Sequence, residues 1–108
     1  MSNEALLKQL GYAPNEALLS QLERIISNTH AFEKIQKHML DLHEHLKVDN
    51  AHVAMSNSED YFKIKIEAPS AERTEEAMEK VEHFAEKFKV TLRQVESKNT
   101  YYIIGFSK

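Results

Sequence analysis

Cysteine is absent from these 108 residues, which excludes disulfide staples, thiolate zinc sites, iron–sulfur clusters and a cysteine nucleophile. The same absence argues against a secreted scaffold held together by disulfides. Glycine is confined to Gly11 and Gly105. Phosphate-cradling loops, dinucleotide fingerprints and serine nucleophile elbows all need glycine where the backbone approaches a ligand closely or takes a positive φ, so this scarcity counts against all three. Long apolar runs are missing as well. The longest cover a few residues against the roughly 20 needed to cross a bilayer, and no basic start leads into an apolar leader segment. The expected setting is cytoplasmic, with no membrane partner. Positive charge is not in excess either: 14 Lys and Arg stand against 17 Asp and Glu, a formal charge of -3. Whole-molecule attraction to phosphate or to an anionic membrane is therefore excluded, and only a local basic patch could supply it.

What the chain does contain is one pattern written twice. From about Thr29 to Ala68, and again from about Ser70 to Lys108, an amphipathic helical segment precedes two short segments of β type. Sliding the second copy back by 42 positions sets Leu46-Lys47-Val48 on Phe88-Lys89-Val90, Val53 on Val95 and Asn57 on Asn99. A slide of 40 then sets Tyr61, Phe62, Ile64 and Ile66 on Tyr101, Tyr102, Ile104 and Phe106. Each copy reads as an α-β-β unit.

Ahead of the repeat, Asn3-Glu4-Ala5-Leu6-Leu7 recurs as Asn15-Glu16-Ala17-Leu18-Leu19 around Gly11-Tyr12-Ala13-Pro14. A helix-ending Gly and a Pro suited to the next helix's first turn predict a short helix, a turn and a longer helix. Leu18, Leu22, Ile25 and Ile26 give the second helix a face that needs a partner. Ser27-Asn28-Thr29 supplies acceptors that would cap a new helix, whose apolar stripe is Phe32, Ile35, Met39, Leu42 and Leu46. From Ala51 the period becomes two, and the polar turn 56–60 separates Ala51, Val53 and Met55 from Phe62, Ile64 and Ile66, a half-buried hairpin. A second helix follows Pro69-Ser70 with Ala77, Val81, Phe84 and Phe88 inward. The last hairpin turns at Ser97-Lys98-Asn99, and a slip in alternation between Leu92 and Val95 predicts a bulge.

These elements predict an α+β fold: an N-terminal helical pair over residues 1–28, then a duplicated α-β-β unit over residues 29–108. The four strands form an antiparallel sheet with helices on one face, a permuted ferredoxin-like two-layer sandwich within a single globular domain. The N-terminal helices are left three places: over the sheet's open face, beside the other helices, or on a second subunit.

Two constellations could carry function. Alternation that sends Phe62, Ile64, Ile66, Tyr102, Ile104 and Phe106 toward the helices leaves Tyr61, Lys63, Lys65, Tyr101 and Ile103 on the outer sheet face. Such a face either needs a cover, from residues 1–28 or from a second copy, or stacks single-stranded nucleic acid on paired Tyr between Lys. The second constellation is His38, Asp41 and His45, one stripe of the first repeat helix with the spacing of a two-His, one-carboxylate metal site. The bland alternative is polar residues on the shoulders of an amphipathic helix. An acidic stripe of Glu72, Glu75, Glu79, Glu82 and Glu86 reads as a solvated face. The leading expectation is a small non-enzymatic interaction protein, a homodimer through the sheet face or the N-terminal helices. No catalytic residue and no cofactor is expected. A ligand- or metal-binding domain using the His38 stripe, and nucleic-acid binding through Tyr61, Lys63, Lys65 and Tyr101, are the alternatives.

Overall fold

The computed structural model describes residues 2–95 and 98–107. Four α-helices and four strands follow in the order α1 (Asn3–Gln9), α2 (Glu16–Asn28), α3 (Phe32–Leu46), β1 (Ala51–Met55), β2 (Phe62–Ile66), α4 (Ala71–Phe88), β3 (Val90–Gln94) and β4 (Thr100–Phe106), with a single 3-10 turn at Lys47–Asp49. The fold is α+β, with an open four-stranded antiparallel sheet in the order β1-β2-β4-β3.

Local chemistry accounts for most of the boundaries. Ser2, Asn15 and Ser70 each accept a backbone N–H from three residues ahead and so start α1, α2 and α4. Pro14 falls before the cap of α2, outside its first turn. Gly11 takes φ +93 just past α1, where a positive φ ends the helix. The break between α2 and α3 arises differently from the capping expected of residues 27–29. Thr29 turns its hydroxyl back to the carbonyl of Ile25, 2.7 Å away, and closes α2, while Ala31, in the left-handed region without a side-chain cap, starts α3. The bulge lies between Thr91 and Leu92, just before the predicted position. Ser97, placed by sequence in the last hairpin turn, lies outside the described residues.

Helices α3 and α4 lie antiparallel on the face lined by Val53, Phe62, Ile64 and Ile103, all fully buried. The buried cluster continues into the N-terminal helices through Leu6, Leu7, Leu22 and Ile25. Polar contacts fix where those helices sit. The Tyr12 hydroxyl accepts the Met55 N–H at 3.0 Å, Gln21 donates to the Ser56 carbonyl at 3.0 Å and Asn28 to the Asp60 carbonyl at 3.1 Å. Residues 2–29 thus meet the sheet at the free edge of β1 and at the β1–β2 turn, rather than across its outer face.

One expectation is overturned. Tyr101 and Ile103 are 5% and 0% exposed and point toward the helices, because register pairs Ile64 with Tyr101 and Phe62 with Ile103, and residues directly opposite share a face. Tyr102 and Ile104 take the outer face instead, while Phe106, opposite buried Val90, packs against the core with its ring centroid 5.1 Å from the Lys34 ammonium of α3. The run Tyr101-Tyr102-Ile103-Ile104 is apolar on both parities, so alternation alone does not orient it. Backbone pairing does. His30 runs beside β4, its N–H directed at the Ile104 carbonyl at 3.4 Å and its carbonyl accepting the Phe106 N–H at 2.8 Å. Gly105 is buried against that segment: a Cβ there would stand 2.6 Å from the His30 nitrogen.

Candidate functional site

The outer sheet face is built from alternate residues of all four strands. Register sets Ala54, Lys63, Tyr102 and Arg93 in one row across the sheet, with His52, Lys65 and Thr100 in the next. Except for exposed Arg93 these side chains are half-buried. The rings of Tyr61 and Tyr102 stand 6.1 Å apart at 49°, and the Arg93 guanidinium lies 5.8 Å and 5.1 Å from their centroids. Of the sequence-predicted surface residues, Tyr61, Lys63 and Lys65 occupy this face and Tyr101 and Ile103 do not. Sequence reasoning missed Tyr102 and Arg93. The cross-strand pairing of Lys63 with Tyr102 and of Tyr102 with Arg93 brings them together, and no local pattern encodes it.

Electrostatics on this face differ from those of the whole chain. Among the described residues no Asp or Glu lies on a strand, whereas Lys63, Lys65 and Arg93 do. The carboxylates border the face: Glu59 pairs with Arg93, and Glu67 with Lys65 at 3.0 Å. The Lys65 hydrogen bond and charge hold the Glu67 carboxyl below its usual range. Both pairs are about half exposed, and exposed ion pairs are weak, so another anion displaces the carboxylates at little cost. Hydrogen bonds from the Ser58 and Ser56 hydroxyls lower the Tyr102 phenol below its ordinary value, and the Ser58 oxygen lies 3.2 Å from the Tyr102 hydroxyl. Burial, reinforced by Glu82, pushes the inward Tyr101 phenol up.

A second site lies on the far side of the molecule. His38, Asp41 and His45 do share one stripe of α3, and they line a cleft of about 390 Å³ with Lys80, His83 and Lys87 of α4. Leu42, Phe84 and Phe88 form its apolar walls. The His38 imidazole is stacked on the Phe88 ring, 3.7 Å between centroids and 10° between planes. Among the described residues, no three His, Asp or Glu side chains converge so that they could hold a metal ion. The Lys80 ammonium is held 2.6 Å from Asp49, whose buried carboxylate also faces Arg73 at 3.9 Å. The acidic stripe of α4 is exposed from Glu72 to Glu86, as its spacing implies.

No family model, curated protein or solved structure matches the chain.

Proposed function

We propose that the protein is a binding module for single-stranded nucleic acid, with the outer sheet face as its platform. The observation that carries this reading is the segregation of charge. A chain of formal charge -3 has, among its described residues, no Asp or Glu on the four strands and sets Lys63, Lys65 and Arg93 there, around the Tyr61–Tyr102 pair. Single strands are bound by aromatic rings on which bases stack and by cations that follow the backbone, and both are present within one row of the sheet. The acidic stripe of α4 is on the helical layer, away from the ligand. Net negative charge then slows association but does not oppose the contact itself.

Homodimerisation through the same face is the second reading, favoured by half-buried Ile104 and Tyr102 beside Ala54. Tyr102 and Ile104 stand on that face in place of the buried Tyr101 and Ile103. A twofold would also set the face against its own copy, bringing Lys63, Lys65 and Arg93 close to like charges.

Fluorescence anisotropy with labelled single-stranded RNA and DNA of mixed sequence, alongside light scattering, separates the two. Three phosphate contacts predict a log–log salt slope of about -2 and roughly a 20-fold loss of affinity between about 50 and 200 mM salt. Tyr102→Leu removes one stacking platform and is expected to weaken binding by about 5- to 100-fold. Absence of binding to either polymer at low salt, or binding indifferent to Tyr102→Leu and to Lys63→Gln, overturns the proposal. A dimer whose mass falls on Tyr102→Lys favours the second reading.

We further infer that the two α-β-β units are copies of one ancestral unit in a permuted ferredoxin-like arrangement. The order β1-β2-β4-β3 supports this, since the second strand of each unit lies at the centre and the first at an edge. The faces correspond when Phe62 is matched to Tyr101 or Ile103, one residue away from the slide of 40 that side-chain type favours.

A further inference from the structure

We infer that the cleft between α3 and α4 binds a small planar aromatic carboxylate, at a site independent of the sheet face. Its volume of about 390 Å³ falls within the roughly 300–1,000 Å³ typical of small-molecule sites. Because the two helices run antiparallel, the cleft has distinct ends. At one, His38 lies flat on Phe88, and Phe84 follows at 5.8 Å, so aromatic surface continues along the wall. A third flat ring extends that stack at little entropic cost, since both existing rings are already ordered by packing. Leu42, 6% exposed, and Phe84, 4% exposed, close the apolar floor.

The polar rim selects the other half of the ligand. Lys87 holds its ammonium 5.4 Å from the centroid of Phe88 and has no carboxylate partner among the described ion pairs. It is therefore the rim cation free to meet an incoming anion beside Phe88. Lys80, at the other end, is already balanced by Asp49 at 2.6 Å. His45 and His83 add imidazole nitrogens that can donate to a carboxylate oxygen. Asp41 is the one carboxylate of the lining, and being exposed it disfavours a second negative charge on the ligand. A monoanion on a flat ring fits these terms better than a dianion or an aliphatic chain does. A metal ion does not fit, because the imidazoles are spread along the cleft and one of them is committed to a stack.

The test uses the full chain and titrates phenylacetate, indole-3-acetate and their neutral amides at millimolar concentration, followed by backbone amide chemical shifts in two-dimensional NMR. Saturable shifts confined to residues around His38, His45, Lys87 and Phe88 are expected, stronger for the acids than for the amides. Lys87→Gln changes an exposed side chain that supports no fold contact beyond the ring face. It is expected to weaken the acids about fivefold, to the level of the amides, and to leave the amides unchanged. Phe88→Leu keeps an apolar wall but removes the stack and should weaken both. No saturable shift with either acid, shifts centred on β2 and β4 instead, or acid affinity unaltered in Lys87→Gln each overturns the inference. Nucleic-acid binding is read separately, by anisotropy.

Discussion

At the scale of single residues, the outer edge of β1 shows how side chains complete a sheet. An edge strand presents unpaired N–H groups that template association with other chains. Here the Val53 N–H is taken by the Nδ1 atom of His43, and the Met55 N–H by the hydroxyl of Tyr12, each at 3.0 Å. To accept at Nδ1, the buried imidazole must be neutral and carry its proton on Nε2. Burial lowers its pKa below 6.5, with the nearby Lys47 charge acting in the same direction. The unfolded chain, with an ordinary histidine, takes up that proton first as pH falls. Stability from His43 is therefore complete above about pH 6.5 and is lost as pH drops from there toward the lower folded-state value. Urea unfolding between pH 8 and pH 5 should show this decline. In His43→Gln, whose amide oxygen can still accept from Val53, the slope should be shallower by up to about 1.4 kcal/mol per pH unit. An unchanged slope would show that His43 stays uncharged in both states or titrates alike in both. Neither His43 nor Tyr12 was legible as a cap. The sequence presents His43 only as one of several helix histidines, and its partner lies ten residues on, across a turn that must first be placed.

At the scale of elements, helices and strand positions were open to reading, while the facing of one strand was not. The stripe Phe32, Ile35, Met39, Leu42 and Leu46 and the alternation Phe62, Ile64, Ile66 each bury as periodicity demands, because polar residues between them leave one solution. In β4 both faces are apolar, and the choice is made by a neighbour distant in sequence. The His30 backbone lies against Gly105, where φ is +153 and the space for a Cβ is filled by His30 atoms at 2.6–2.8 Å. Gly105→Ala is therefore expected to cost more than about 2 kcal/mol, combining the strain of the backbone conformation with displacement of a main-chain segment. Gly11→Ala, with positive φ but nothing within 4 Å, should cost only about 1 kcal/mol. Comparable midpoints for the two variants in urea would mean that residues 29–31 are not held on β4. The same one-residue ambiguity moved the sequence-predicted surface from Tyr102 to Tyr101, and only the strand pairing corrects it.

At the scale of the whole molecule, a property invisible in composition emerges once strand boundaries are known. The formal charge of -3 averages over a basic sheet and an acidic helical layer, and only their separation gives the outer face a sign. Residues 2–28 belong to the helical side of that division. Leu6, Leu7, Leu22 and Ile25 are no more than 1% exposed and cover the flank of α3 and the free edge of β1, which leaves the basic face open. Their removal would expose the apolar surface they cover and return the Met55 N–H to an unprotected edge. Native domains are stable by only about 5–15 kcal/mol, so residues 29–108 alone are expected to lose a cooperative unfolding transition and to aggregate through β1. Tyr12→Phe, which deletes one hydroxyl and nothing else, should lower stability by about 1–2 kcal/mol without changing solution mass. Calorimetry and light scattering on both chains check this. A well-folded, monomeric 29–108 fragment would mean that the N-terminal helices are an appendage to a self-sufficient domain, and that the edge of β1 needs no acceptor from Tyr12.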